Sequence, residues 1–242
     1  MAEDDPPRGP SRGTRAQNLL NRFPVTDLAR AVSRSGADRR FFLTEFVDSG
    51  TKRNYVPTRR TAPMIYGASP PLLEISLEPW GEVEKNIRAL CDPLILDMNI
   101  SASRELFNLV RPRGYLATIC DEQTLRTGHN QIVPVGLTFY ITEGDRLIFQ
   151  FPQPRLDCLT DSEVVVLASV IFHAYAKGDY TDADIEVAEL GRAAGAPRKC
   201  RKRDGRIRRV AKDDIIERNR LGEQVDDVYS ILRELVTKPR HK

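Results

Sequence analysis

The chain has 242 residues, is 40% hydrophobic, and carries 37 Lys and Arg against 34 Asp and Glu for a formal net charge of +3. That apolar content supports a packed core and excludes a wholly disordered chain, and the length fits one large domain or two small ones. The longest apolar stretch, residues 164–176, is shorter than the roughly 20 residues that span a bilayer and contains His173, so no transmembrane segment is expected.

Residues 1–22 mix Pro, Gly, Ser and Arg without apolar periodicity and read as a disordered basic arm, in which Arg8, Arg12, Arg15 and Arg22 follow an acidic start. A body over residues 23–152 follows. Thr26 is placed to cap a helix through Val32, and the aromatic and β-branched content of Phe41–Val47 predicts a strand. Cations interleave here with Phe41, Phe42, Phe46 and Tyr55, so the doublets Arg39-Arg40 and Arg59-Arg60 are candidate contacts for phosphate and stacked bases.

Leu73, Ile75 and Leu77 alternate with polar residues as in a half-exposed strand. Helices are expected over residues 82–91 and 101–110, and strands over 115–120, 132–142 and 146–151, the last two joined across Glu143-Gly144-Asp145. Pro152 and Pro154 mark a boundary to a helical region over residues 153–242. Thr160-Asp161-Ser162-Glu163 is a capping box that opens a helix apolar on nearly every face. A short helix carrying Ile185, Val187 and Leu190 comes next, then a basic loop or hinge, then a helix over about 213–236. Leu221, Val225, Val228, Leu232 and Leu235 give that last helix a heptad-spaced seam, for docking on the chain's own core or for homo-oligomerisation. The predicted fold is α+β, with a mixed, largely antiparallel sheet body and a helical C-terminal region.

The basic loop is the strongest local signal. Arg198, Lys199, Arg201, Lys202, Arg203, Arg206, Arg208, Arg209 and Lys212 are interrupted by one acid, Asp204, so this segment is strongly cationic while the remainder of the chain is net acidic. Such a run repels itself unless an anion lies against it. It predicts binding of nucleic acid, RNA or single-stranded DNA, with a nuclear-import signal, an acidic protein partner or a solvated loop as the other readings. The alternative function is a self-assembling matrix-like or viral internal protein that touches a membrane surface or genome.

Signals for catalysis are sparse. His129, His173 and His241 are the only histidines, and Gly-rich phosphate loops, Gly-x-Ser-x-Gly, His-Glu-x-x-His and Cys-x-x-Cys are all missing. The acids Asp179, Asp182, Asp184 and Glu186 lack calcium-loop spacing, and the four widely separated cysteines read as reduced thiols. The expectation is an intracellular, non-enzymatic binding protein without metal or cofactor, placed in cytoplasm, nucleus or virion interior.

Overall fold

The computed structural model describes residues 20–21, 23–49, 55–68, 77–193, 195–197 and 199–237. Seven α-helices and seven strands occur among them: α1 Val25–Val32, α2 Gly36–Ser49, α3 Val56–Tyr66, α4 Trp80–Leu90, α5 Pro93–Val110, β1 Leu116–Ile119, β2 Thr124–Arg126, β3 Ile132–Pro134, β4 Phe139–Glu143, β5 Arg146–Gln153, α6 Asp161–Tyr175, β6 Asp184–Glu189, β7 Arg206–Val210 and α7 Arg218–Thr237.

Local chemistry explains several boundaries. At the start of α6, Thr160 Oγ1 accepts from the Glu163 N–H while the Glu163 carboxylate accepts from the Thr160 N–H, so two otherwise orphaned donors are satisfied reciprocally. Asp92 caps α5 by accepting from the Leu94 N–H at 2.8 Å, ahead of a proline that needs no partner at the first helical position. The β4–β5 hairpin turns on Gly144 and Asp145, and Gly144 takes the positive φ of 60° that such a two-residue turn demands.

The main sheet has the order β1-β4-β5-β6-β7 and is antiparallel except at β5–β6, while β2 and β3 form a separate antiparallel ribbon. The parallel pair requires a crossover, which α6 supplies. Helices cover both faces. Tyr66 of α3 packs on Phe139 with ring centroids 4.6 Å apart, and Tyr175 of α6 packs on Phe149 at 4.8 Å on the other side. Because β6 is buried on both faces, its alternation is not the wet-and-dry pattern of an edge strand.

The α+β class and mixed sheet agree with the sequence reading, but several elements differ from it: the strand expected over 132–142 is broken into β3 and β4, which belong to different sheets, and β2 went unforeseen. Phe41–Val47 is helical: Leu43 is buried, and Phe46 meets Phe23 edge-on at 4.9 Å, which is helical spacing on the core. The segment with Ile185 and Val187 is strand β6, and residues 206–210 of the expected loop are strand β7. The sheet therefore runs across residue 152, and the region after it contributes two strands as well as helices. Helix α3 went unforeseen. The N-terminal arm apart from Leu20 and Asn21, most of the expected strand around Leu73 and Ile75, and Arg198 and His241 all lie outside the described residues.

Candidate interaction surfaces

The basic run becomes an edge strand whose arginines are taken up by acids of the strand beside it. Register sets Arg209 against Glu186 and Arg206 against Glu189. Arg209 reaches Glu186 Oε1 at 2.7 Å, and Arg206 reaches Glu189 Oε2 at 2.8 Å, with Arg208 at 3.6 Å from the same oxygen. Both carboxylates are buried. Arg208 also binds the Asp161 carboxylate and donates to the Leu159 carbonyl, and Lys212 meets Asp182. Three of the four acids considered for a metal are thus counter-ions, Glu186 of Arg209 on β7, Asp182 of Lys212 and Asp184 of Arg146 on β5 at 2.6 Å, and no cluster among the described residues could hold a metal.

Glu186 continues inward. Gln150 Nε2 donates to Glu186 Oε2 at 2.7 Å, and the Tyr66 hydroxyl donates to Gln150 Oε1, forming a polar chain from the core to the sheet edge. Burial pushes the Tyr66 phenol well above its ordinary pKa, which keeps it a donor. On the opposite face the Leu159 N–H donates to Glu189 Oε1 at 2.7 Å, fixing the approach to α6.

Arg203 is 7% exposed and is held by neutral acceptors, donating to the carbonyls of Pro154 at 2.7 Å and Leu190, and to Ser101 Oγ at 3.1 Å. It ties the β7 approach to β5, β6 and α5, a structural task that no charge count would reveal. Lys199, Arg201 and Lys202 remain exposed. The flexible basic segment expected from sequence is corrected on this geometry over residues 206–210, which pair with β6 as a strand, and at Arg203, which backbone carbonyls hold.

The two doublets also separate. Arg39 points back to α1 and donates to the carbonyls of Ala31, Val32 and Arg34, closing that helix's C-terminus. Arg40 pairs with Glu234 of α7 at 2.9 Å. Arg59 is half-buried on α3; burial first, and then the charge of Arg155, push its pKa down, while Arg60 is exposed. The four do not form one patch. Leu221, Val225, Val228 and Leu232 are buried in the main core and Leu235 is half-buried against it, so the C-terminal seam docks on the chain itself. His173 is equally structural, with Nε2 2.7 Å from the Ile216 carbonyl.

Solvent meets apolar surface elsewhere. Phe41 on α2 is 70% exposed, at the rim of an open concavity of about 380 Å³ lined by Arg34, Asp38, Phe41, Phe42 and Glu45. The Arg34 guanidinium stacks 4.5 Å from the Phe42 ring centroid while binding Glu163 at 3.0 Å. Leu90 and Leu94 form an aliphatic tip where α4 meets α5, and Leu116 and Ile119 are exposed on β1 at the sheet's edge. Reading α2 as a strand hid the first of these surfaces, although the 38, 41, 42, 45 spacing was the available signal.

Comparison with known proteins bears on what such surfaces meet. A protein of Caulobacter vibrioides (strain NA1000 / CB15N), the DNA replication inhibitor toxin SocB, is 25% identical over 219 residues, covering 89% of this chain and 90% of that protein. No solved structure matches. The family described as sliding clamp-binding bacterial toxin SocB matches residues 26–242. These findings overturn the expected RNA or single-stranded DNA partner, the nuclear-import signal, the viral or matrix role and the membrane contact, since the family is bacterial and is defined by binding a protein. The match runs from α1 through the last helix, and the chain belongs to the family of sliding clamp-binding bacterial toxins SocB.

Proposed function

We propose that the chain binds the DNA sliding clamp of the bacterium that encodes it and thereby inhibits DNA replication, acting by noncovalent association in the cytoplasm and not by turnover. The observation that carries this reading is the family match over residues 26–242, supported by a relative aligned over nine-tenths of its own length. The basic run is consistent with it in a negative sense: cations engaged with Glu186, Glu189 and Asp161 are poorly placed to neutralise a phosphate backbone. Exposed aromatic and aliphatic side chains are what a protein interface uses.

Calorimetric titration of the purified chain into the purified clamp tests the association, and clamp-dependent primer extension tests the consequence. Saturable binding together with loss of extension is expected. Absence of heat or of a complex on gel filtration at micromolar concentrations overturns the reading.

A further inference from the structure

Arginines gather where the parallel pair β5 and β6 ends. Arg155 follows β5 by two residues and Arg192 follows β6 by three, while Arg30 and Arg34 come from α1 and the turn after it, and Arg59 from α3. Three acids at this end are already taken. Arg155 forks the buried Asp27 carboxylate, with Nη1 2.5 Å from Oδ1, Arg192 binds Asp157, and Arg34 binds Glu163 at 3.0 Å. Two cations are left over: Arg30 donates to the main-chain carbonyl of Asp157 at 2.8 Å and to no carboxylate, and the Arg59 guanidinium makes no hydrogen bond or ion pair among the described residues. Both are half-buried. Burial first, and then the charge of Arg155, push the pKa of each down, and Arg155 acts on each more strongly than any acid does. A half-buried cation beside a like charge is costly unless an anion compensates it.

We propose that Arg30, Arg59 and Arg155 form a binding site for a phosphate group, free or esterified to a small molecule, at the carboxyl end of the β5–α6–β6 unit. The site is independent of clamp binding. Two cations without carboxylate partners match the charge of a dianion, whereas a single carboxylate would leave one of them uncompensated. Guanidinium forks borne by three separate elements suit the tetrahedral oxygens of phosphate better than two coplanar oxygens. The loop that carries Arg155 is fixed beforehand: the Arg155 N–H donates to Gln153 Oε1 at 2.8 Å, and Gln153 Nε2 joins Arg30 on the Asp157 carbonyl at 3.2 Å. Such preorganisation lowers the cost of binding. Its place in the fold agrees, since the carboxyl ends of parallel strands are where open sheets hold their ligands.

The test titrates the full chain, in buffer free of phosphate, with orthophosphate and with adenosine 5′-monophosphate, and follows thermal melting with each probe against sodium chloride at matched ionic strength. Arg30→Gln and Arg59→Gln are compared with Arg60→Gln, the exposed neighbour, as control. Saturable binding with a raised melting temperature is expected, weakened about ten-fold or more in the first two variants and unchanged in the control. Without phosphate, Arg59→Gln should melt no lower than the wild type, because it removes a charge that Arg155 opposes; a merely structural arginine would not behave so. Tighter binding of the nucleotide than of orthophosphate assigns the group to an ester, and equal or weaker binding assigns it to free phosphate; both support the site. No binding of either probe, equal stabilisation by chloride, or wild-type affinity in Arg30→Gln and Arg59→Gln overturns the proposal. A lowered melting temperature of Arg59→Gln in the absence of phosphate also overturns it, by revealing a partner within the chain.

Discussion

Strand β7 and helix α2 both present arginines in sequence, and the fold treats them in opposite ways. On β7, Arg206, Arg208 and Arg209 meet Glu189, Asp161 and Glu186, so the strand's share of a run that is strongly cationic in one dimension is neutralised in three. On α2 the cations turn away to α1 and α7, leaving Phe41 between the acids Asp38 and Glu45. Charge counted along the chain is therefore a poor guide to the charge a partner meets, because strand pairing brings counter-ions from neighbouring elements and helical rotation hides alternate residues.

The difference can be broken most directly at β7. Replacing Arg206 and Arg208 together with Ala leaves the fully buried Glu189 carboxylate without its cations, and the expected loss is about 3–5 kcal/mol in urea unfolding. A loss below about 1 kcal/mol would show that these arginines are free surface cations after all. Arg203→Met sharpens the same point: it strands the Pro154 and Leu190 carbonyls and should cost about 2–4 kcal/mol, even though no carboxylate is involved.

Smaller effects follow where a polar group is buried without a partner. The Tyr229 hydroxyl has no hydrogen-bond partner among the described residues, and burial raises its pKa to about 12. A phenol whose pKa is raised in the folded state stabilises the fold fully below the ordinary value of about 10. That contribution is lost as the pH rises from there through about 12. Tyr229→Phe should be neutral or stabilising by up to about 1 kcal/mol at pH 7. It should also flatten the alkaline fall in the urea midpoint above pH 10, and a midpoint lowered at pH 7 would reveal a partner for the hydroxyl. Smallest of all, Asp38→Ala and Glu45→Ala should each change stability by less than about 0.5 kcal/mol, since nothing in the described fold depends on those carboxylates.

Elements whose signals are local were legible. The capping box at Thr160, the turn at Gly144 and the heptad spacing of α7 each specify structure through residues a few positions apart. Failures came where a distant partner decides. Glu186 was grouped with solvated acids because the arginine that covers it arrives some twenty residues later on another strand, and Ile185 and Val187 were assigned to a helix for the same reason. Phe41–Val47 has strand-like composition, yet Leu43 and Phe46 must face a core built partly by Phe23 and Tyr229, and only a helix presents them together. The clamp-binding family was not legible, because no short motif with a known chemical mechanism announced it; similarity over nearly the whole chain did.

The contact between α2 and α7 also affects biosynthesis. Arg40 and Glu234 are 194 positions apart, and Phe23 meets Tyr229 edge-on, so the helices near residue 40 acquire part of their walls from a helix synthesised much later. Contacts of such high sequence separation form late, after the entropy of closing so long a loop has been overcome. A nascent or prematurely terminated chain consequently cannot hold α2 in its finished setting.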